Sequence, residues 1–247
     1  MSAQRGELLY EGKAKKLFAT DKPDLLLQVF KDEATAFDGA KKGIIADKGK
    51  LNCAISSRIF RMLEGAGVRT HFVERTGERE MLVRKVRIVP IEVVVRNRVA
   101  GSLSKRYGIP EGTPLAAPLQ EFFLKSDPLH DPLVTEQAIL AFGWATAAEI
   151  ARLRAEALKV NDILRGFFDR RGIELVDFKL EFGVAQGGPL DGQILLADEI
   201  TPDGCRLWDK KTQEKMDKDR FRRDLGKVEE AYQEVAQRVL GDAPGDS

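Results

Sequence analysis

Residues 173–200 read IELVDFKLEFGVAQGGPLDGQILLADEI, and this stretch decides the fold. In an extended strand successive side chains point to opposite faces. Val176, Phe178, Leu180 and Phe182 therefore share one face, and Asp177, Lys179 and Glu181 share the other. One face is core; the other is a row of acid, base and acid. The glycine-rich AQGGPLDG turns the chain back, and the returning strand delivers Asp198 and Glu199. A hairpin centred on that turn sets Asp198 within a residue or two of Glu181. Carboxylates converging around a lysine suit a hard cation such as Mg²⁺ together with an anionic ligand. The same alternation also suits a half-exposed strand with a solvated outer face.

Working outward, the first third contains the short strand-like runs ELLY, KKLFAT, DLLLQVFK, RTHFVE and REMLVRKVRIV. Their spacing by Gly, Asp and Pro predicts an antiparallel, hairpin-rich sheet. One helix interrupts it: Leu51, Ile55, Ile59, Met62 and Leu63 form an apolar stripe, and Gly65 and Gly67 end it. A further strand, IEVVVRNRV, follows Pro90, and the Pro90 region is the expected junction of two lobes, residues 1–88 and 89–247. IPEGTPLAAPLQ and SDPLHDPLV read as proline-rich loops. Thr146 with Glu149 forms a capping box for a long helix whose buried stripe is Ile150, Leu153, Ala157, Val160, Leu164 and Phe167, with Gly172 as terminator. A last helix carries Phe221, Leu225, Val228, Tyr232, Val235 and Val239 at the same period. Strands first, then helices mixed with a hairpin, make an α+β fold with a cleft between its lobes.

The 247 residues suffice for a sizeable core in one large domain or two intimately packed lobes. With 40 basic and 39 acidic residues the formal charge is +1, which argues against a nucleic-acid coat or a polybasic membrane anchor. Two cysteines, Cys53 and Cys205, without CxxC or Cys/His pairing, speak against a disulfide framework and a zinc site, and fit a reducing cytoplasm. The start MSAQRGELLYEGK has no signal-peptide apolar run, and no apolar stretch approaches the roughly 18 residues of a membrane span.

Three further constellations could carry chemistry. In YEGKAKKLF, Gly12 sits at a tight turn ringed by Lys13, Lys15 and Lys16; such a hairpin suits nucleotide phosphates, or is simply a solvated basic turn. It is not a Walker A loop. In IEVVVRNRVAGSLSKR, strand parity puts Glu92, Val94, Arg96 and Arg98 on one face, leading into Ala100-Gly101-Ser102. Guanidiniums beside a Gly-Ser loop form a clamp for phosphate or carboxylate, against the alternative of a charge-protected edge strand. In DEITPDGCRLWDKKT, a turn at Pro202-Asp203-Gly204 brings Arg206 back toward Asp198 and Glu199. The segment KDEATAFDGAKKGIIADKGK carries Asp38 and Gly39 in an expected charged loop. Two histidines, His71 and His130, are too few to support a Ser–His–Asp or Cys–His arrangement.

Together, YEGKAKKLF, ATAFDGAKK, VVVRNRVAGSLSKR, FFLKSDPLHDPLV, VDFKLEFG and DEITPDGCRLWDKKTQEKMDKDRFR closely resemble the SAICAR synthetase family, over about Leu8 to Leu240. The resemblance implies an ATP-grasp-related, two-lobed α+β fold with nucleotide bound between the lobes. It implies an ATP-dependent ligase joining the carboxylate of carboxyaminoimidazole ribonucleotide (CAIR) to the amine of L-aspartate, with ATP and Mg²⁺ required. Carried over segment by segment, Lys13, Ala14 and Lys15 would hold the ATP phosphates, Val86 and Ile88 would line the adenine pocket, and Lys125 would reach the nucleotide. Glu181 and Asp198 would hold Mg²⁺. Arg96, Ser102, Arg206 and Asp38 would bind the ribonucleotide, and Asp177 and Lys179 would sit at the reacting groups. A homo-oligomer, such as a dimer, and a cytoplasmic location are also implied. Competing readings are a small-molecule kinase sharing the cleft, and an RNA-binding module using the lysines between 41 and 50 with the RNR strand; the neutral charge counts against the latter.

Overall fold

A computed structural model describes residues 3–36 and 39–243. The chain begins with β1 (Arg5–Glu11), β2 (Lys15–Thr20) and β3 (Leu25–Phe30), then β4 (Glu33–Ala36) and β5 (Lys41–Ile44), helix α1 (Lys48–Gly65), β6 (Phe72–Arg75) and β7 (Glu80–Arg84). It continues with β8 (Val86–Arg98), α2 (Ser102–Tyr107), β9 (Pro114–Leu124), β10 (Leu133–Val134), α3 (Glu136–Ala141) and α4 (Ala147–Asp169). Then come β11 (Ile173–Ala185), β12 (Ile194–Ala197), β13 (Cys205–Asp209), α5 (Asp219–Arg222) and α6 (Val228–Leu240).

Two antiparallel sheets result. One has the order β1-β2-β3-β7-β6; the other runs β10-β9-β8-β11-β12, with β13 also paired to β11, and β4 and β5 form a separate hairpin. The edge of β11 is shared. Residues 173–178 pair with β13, and residues 181–184 pair with β12. Between them Lys179 N–H donates to Gly204 C=O at 3.1 Å. The loop 198–204 therefore crosses the middle of β11, which is where the charged row lies. Lys48, wholly buried, donates to Asp203 at 2.7 Å, and Tyr232 also donates to Asp203, so α1 and α6 pin that loop from below. Burial disfavours the Asp203 charge, yet Lys218 and Lys48 hold this carboxyl well below its usual range.

One continuous core runs under both sheets. Val89, Ile91, Val93 and Val95 of β8 and Phe178, Leu180 and Phe182 of β11 face Leu153, Ala157, Val160, Leu164 and Phe167 of α4. The Val, Ile, Leu and Phe side chains among them contribute roughly 1.5–3 kcal/mol each on burial. Helix α4 starts as its residues dictate: Thr146 accepts from Glu149 N–H, and Glu149 accepts from Thr146 N–H.

Several expectations need correction. Val176 does not share the core face with Phe178. The pairing to β13 steps from Leu175↔Leu207 to Asp177↔Arg206, a bulge that sends Val176 to a separate cluster with Ala100 and Trp208. Of the two readings of the charged face, the solvated one does not hold for Asp177 and Glu181, which are buried, while Lys179 between them is exposed. The last helix is broken. Asp224, Gly226 and Lys227 all take positive φ, which separates α5 from α6. The segment PLAAPLQ, read as loop, belongs to strand β9, which runs on to Leu124. Only Phe122 and Phe123 pair onward with β10, so Pro114 and Pro118 lie on a free edge where the missing N–H costs nothing. Strand β8 runs unbroken through Pro90, absorbing it in an irregularity opposite Glu181 to Gly183. The segment around residues 33–44 forms the hairpin β4–β5, with Asp38 outside the described residues.

Candidate active site

Strand β11 acts as a ruler. At about 3.3 Å per residue, Asp177 and Glu181 stand roughly 13 Å apart on one face, with Lys179 between them. Each acid has a different neighbourhood because of register. Asp177 lies opposite Arg96 on β8 and opposite Arg206 on β13. Glu181 lies opposite Glu92 on β8 and Ala197 on β12.

The first neighbourhood is an arginine clamp. Arg96 Nη1 donates to Asp177 at 2.8 Å, and Arg206 Nη1 donates to the same carboxylate at 2.9 and 3.0 Å. Arg96 is 2% exposed, with Nε on Glu121 at 2.6 Å and Nη2 on Ser102 Oγ at 3.0 Å. Arg206 donates from Nε to Asp219 at 2.9 Å. Burial opposes its charge, but Asp177 and Asp219 raise its pKa above the ordinary arginine value. Gly101 makes the clamp possible. At φ 54° and ψ −124° it occupies backbone space reserved for glycine, and a Cβ there would lie 2.3 Å from Arg206 Nη2. The Arg206 guanidinium thereby lies against the bare backbone of Gly101, while the next residue, Ser102, accepts from Arg96, an arrangement that suits an anion with several oxygens.

The second neighbourhood is a cluster of carboxylates and lysines. Two glutamates directly opposite across a strand pair repel. Here cations offset that repulsion: Lys179 Nζ lies 2.9 Å from Glu92, and Lys125 pairs with Glu181. Lys15 pairs with Asp198 and sits 4.0 Å from Glu199. Burial and the Asp198 charge raise the Glu181 pKa, against the pull of Lys125, Lys179 and Lys15. Burial opposes ionisation of Asp198 too, yet Lys15, Lys179 and Lys125 carry it below its usual range. Glu199 is pushed up by burial, with Asp198 and Asp203 adding to the effect and Lys15 opposing it. For Lys15 and Lys179 burial disfavours the charge, but the surrounding acids raise both, so these amines stay protonated. The Lys179 side chain is 44% exposed, so water screens part of that pull. Lys13 lies on the rim, 2.9 Å from Asp127.

A family model described as SAICAR synthetase matches residues 8–239. The chain belongs to the SAICAR synthetase family. It is 60% identical over 242 residues to the phosphoribosylaminoimidazole-succinocarboxamide synthase of Magnetococcus marinus, covering 98% of this chain and 99% of that one. The crystal structure of the same enzyme from Ehrlichia chaffeensis superposes with a TM-score of 0.92 at 49% identity, over 96% of this chain and 99% of that one. A SAICAR synthetase in complex with ADP superposes at 0.90, with 47% identity and 96% and 99% coverage. As a member, this chain is an ATP-dependent carbon–nitrogen ligase of purine biosynthesis that condenses CAIR with L-aspartate. Among the described residues, no helix is long and apolar enough to cross a membrane.

In this member of the family the fold gathers Lys15, Lys125, Lys179, Glu181 and Asp198 into one group, and Arg96, Ser102, Arg206 and Asp177 into another. Ala14 lies in the β1–β2 turn, its carbonyl accepting from Lys31 N–H at 2.8 Å. Val86 and Ile88 lie at the start of β8 against Gly183, where a Cβ would come within 2.6 Å of Val86. No group of three or more His, Cys, Asp or Glu able to hold a metal occurs among the described residues. Glu181 and Asp198 nonetheless fit Mg²⁺, which commonly takes one or two protein carboxylates and completes its shell with water and substrate phosphates. Sequence reasoning missed three acids that orient the cations: Glu92, Glu121 and Asp219. Glu92 was signalled by its parity with Arg96. Glu121 directly follows the segment read as loop and was given no element or role, and Asp219 carried no signal beyond a charged run.

Proposed function

We propose that the two neighbourhoods on β11 hold the two halves of the reaction. Lys13, Ala14 and Lys15 bind the ATP phosphates, Val86 and Ile88 line the adenine pocket, and Lys125 reaches the phosphate chain. Arg96, Ser102 and Arg206, together with Asp38, bind the ribonucleotide. The observation that carries this reading is the register of β11. It sets an arginine clamp and a lysine–carboxylate cluster at the two ends of one charged row, a separation comparable to the length of a ribonucleotide. Phosphate anchored at Asp177's arginines leaves the CAIR carboxylate beside Lys179 and Glu181.

The lysines already pair with the carboxylates that the reading assigns to metal. Incoming phosphates would take over Lys15 and Lys125, which would free Glu181 and Asp198 to hold Mg²⁺. Bound there, the ion would supply charge neutralisation at the transferring phosphoryl group. Lys179, kept protonated by Glu92, Glu181 and Asp198, serves as a fixed cation rather than a base. Asp177 holds both guanidiniums in place and so acts on substrate orientation. A CAIR carboxylate oxygen attacks the γ-phosphorus, and ADP leaves. The aspartate amine then attacks the acyl carbon, gives up its proton, and phosphate departs with that CAIR oxygen. No protein nucleophile is needed, and burial raises the pKa of both Cys53 and Cys205, which disfavours their thiolates.

The same reading divides the chain into an N-terminal nucleotide lobe, residues 1–88, and a larger lobe, residues 89–247, and places the enzyme in the cytoplasm as a homo-oligomer, with a dimer the simplest form. Free, buried Cys53 and Cys205 support a reducing compartment. The chemistry is tested with CAIR carrying ¹⁸O in its carboxylate. Label should enter inorganic phosphate in step with amide formation. Unlabelled phosphate from a working enzyme rules out the acyl phosphate.

A further inference from the structure

The chain leaves β12 in an unusual way. Asp198 has φ 65°, the left-handed region, which costs a residue with a Cβ roughly 1–2 kcal/mol. Such a conformation persists only where its surroundings over-determine it. The backbone of residues 69–71 runs alongside: Leu196 N–H donates to Arg69 C=O at 3.0 Å, and His71 N–H donates to Leu196 C=O at 2.8 Å. The next bond in that series comes from a side chain. The His71 imidazole donates to the backbone carbonyl of Asp198. Two residues on, Ile200 N–H donates to Ser56 Oγ at 3.2 Å, so the turn is tied at both ends.

The His71 ring has little freedom. It is 3% exposed and stands edge-on to Phe60, with ring centres 5.3 Å apart and planes at 73°. Its Nε2 has no hydrogen-bond partner among the described residues. A neutral imidazole has one donor and one acceptor nitrogen, so the proton belongs on Nδ1.

We propose that His71 is a positioning residue: its Nδ1–H, donated to the Asp198 carbonyl, fixes residue 198 in the left-handed turn that aims its carboxylate at Lys15 and the cleft. The inference rests on the reading of Asp198 as a Mg²⁺ ligand. His71 touches neither substrate nor ion, and it acts only through the backbone of residue 198. Removal of an outer partner of a ligand typically lowers metal affinity or activity on the order of 10–100-fold.

Two substitutions separate this role from plain packing. His71→Asn places an amide donor where Nδ1 was; His71→Gln places it where Nε2 was. Mn²⁺ binding in the presence of ADP, followed by electron paramagnetic resonance, and the KM values for ATP and CAIR are the readouts. His71→Asn should stay close to the parent enzyme. His71→Gln should weaken Mn²⁺ binding and raise the ATP KM by about tenfold or more while the CAIR KM holds. Equal effects of the two substitutions, or a CAIR KM that rises in step, overturn the proposal. The unsubstituted enzyme gives an independent check through its imidazole ¹⁵N spectrum. Protonated Nδ1 supports the proposal and protonated Nε2 overturns it, whether or not the variants fold. Asp198→Asn is measured in parallel. If it binds Mn²⁺ normally, the metal reading falls and takes this inference with it. If Asp198→Asn loses Mn²⁺ and His71→Gln does not, only the positioning role falls.

Discussion

Replacing Gly101 by alanine should damage ribonucleotide binding while leaving nucleotide binding intact. A Cβ at this position would lie 2.3 Å from Arg206 Nη2 and 2.6 Å from Cζ, whereas ordinary contact starts at 3.4 Å. The guanidinium must therefore retreat by about 1 Å. Its bonds to Asp177 at 2.9 and 3.0 Å and to Asp219 at 2.9 Å cannot all survive a shift of that size. The backbone cannot yield instead, because φ 54° with ψ −124° is closed to a residue with a Cβ. Misplacing a binding group by about 1 Å costs on the order of 100-fold. Backbone strain of roughly 1–3 kcal/mol adds a stability loss. For a chain of this size that lowers Tm by roughly 2–12 °C. Steady-state kinetics with CAIR and ATP varied separately, together with thermal unfolding, form the assay. The expected result is a CAIR KM raised about 100-fold with the ATP KM nearly unchanged. A CAIR KM within twofold of the parent value, or equal rises for both substrates, would refute the clamp.

Glu181→Gln should keep the fold and abolish most Mg²⁺-dependent turnover; near-normal rates at ordinary Mg²⁺ would remove Glu181 from the metal site. Asp217 offers a pH test. Burial and the Asp219 charge push it from 3.8 up to about 7. A carboxyl raised on folding binds more protons in the folded state, so stability declines as pH rises from about 4 to about 7 and is flat beyond. Thermal unfolding across that range should show the unsubstituted enzyme losing ground to Asp217→Asn, and parallel curves would contradict the assignment. Thr146→Ala removes the cap of α4 and should cost about 1 kcal/mol, a Tm loss of roughly 2–4 °C, with both KM values unchanged. An altered CAIR KM would show that α4 couples to the site.

Much of the site was legible because a strand converts sequence parity directly into geometry. Asp177, Lys179 and Glu181 had to share a face, and the turn at residues 185–192 had to return Asp198 beside Glu181; the register Glu181↔Ala197 places it there. The apolar periods of α1 and α4 were equally readable, as was the Thr146 cap. Legibility stopped where a local irregularity changed the count. One bulge moved Val176 out of the core face, three positive-φ residues split the last helix, and an exposed edge admitted prolines into β9.

What the sequence alone determined was the inventory: an α+β chain, a charged row on one strand, arginines before a Gly-Ser loop, and lysines around Gly12. Those follow from local periodicity and side-chain chemistry, which need no distant partner. Only the tertiary structure decided who meets whom. Asp177 faces Arg96 and Arg206 because β8 and β13 flank it in that register, and Glu181 faces Glu92 for the same reason. Burial, too, was a tertiary outcome. Asp177 and Glu181 are buried although a charged strand face is often half-exposed, and for Glu181 burial together with the Asp198 charge raises the carboxyl above its usual range. Strand register and burial arise from contacts between segments far apart in the chain, so no reading of a single segment could supply them.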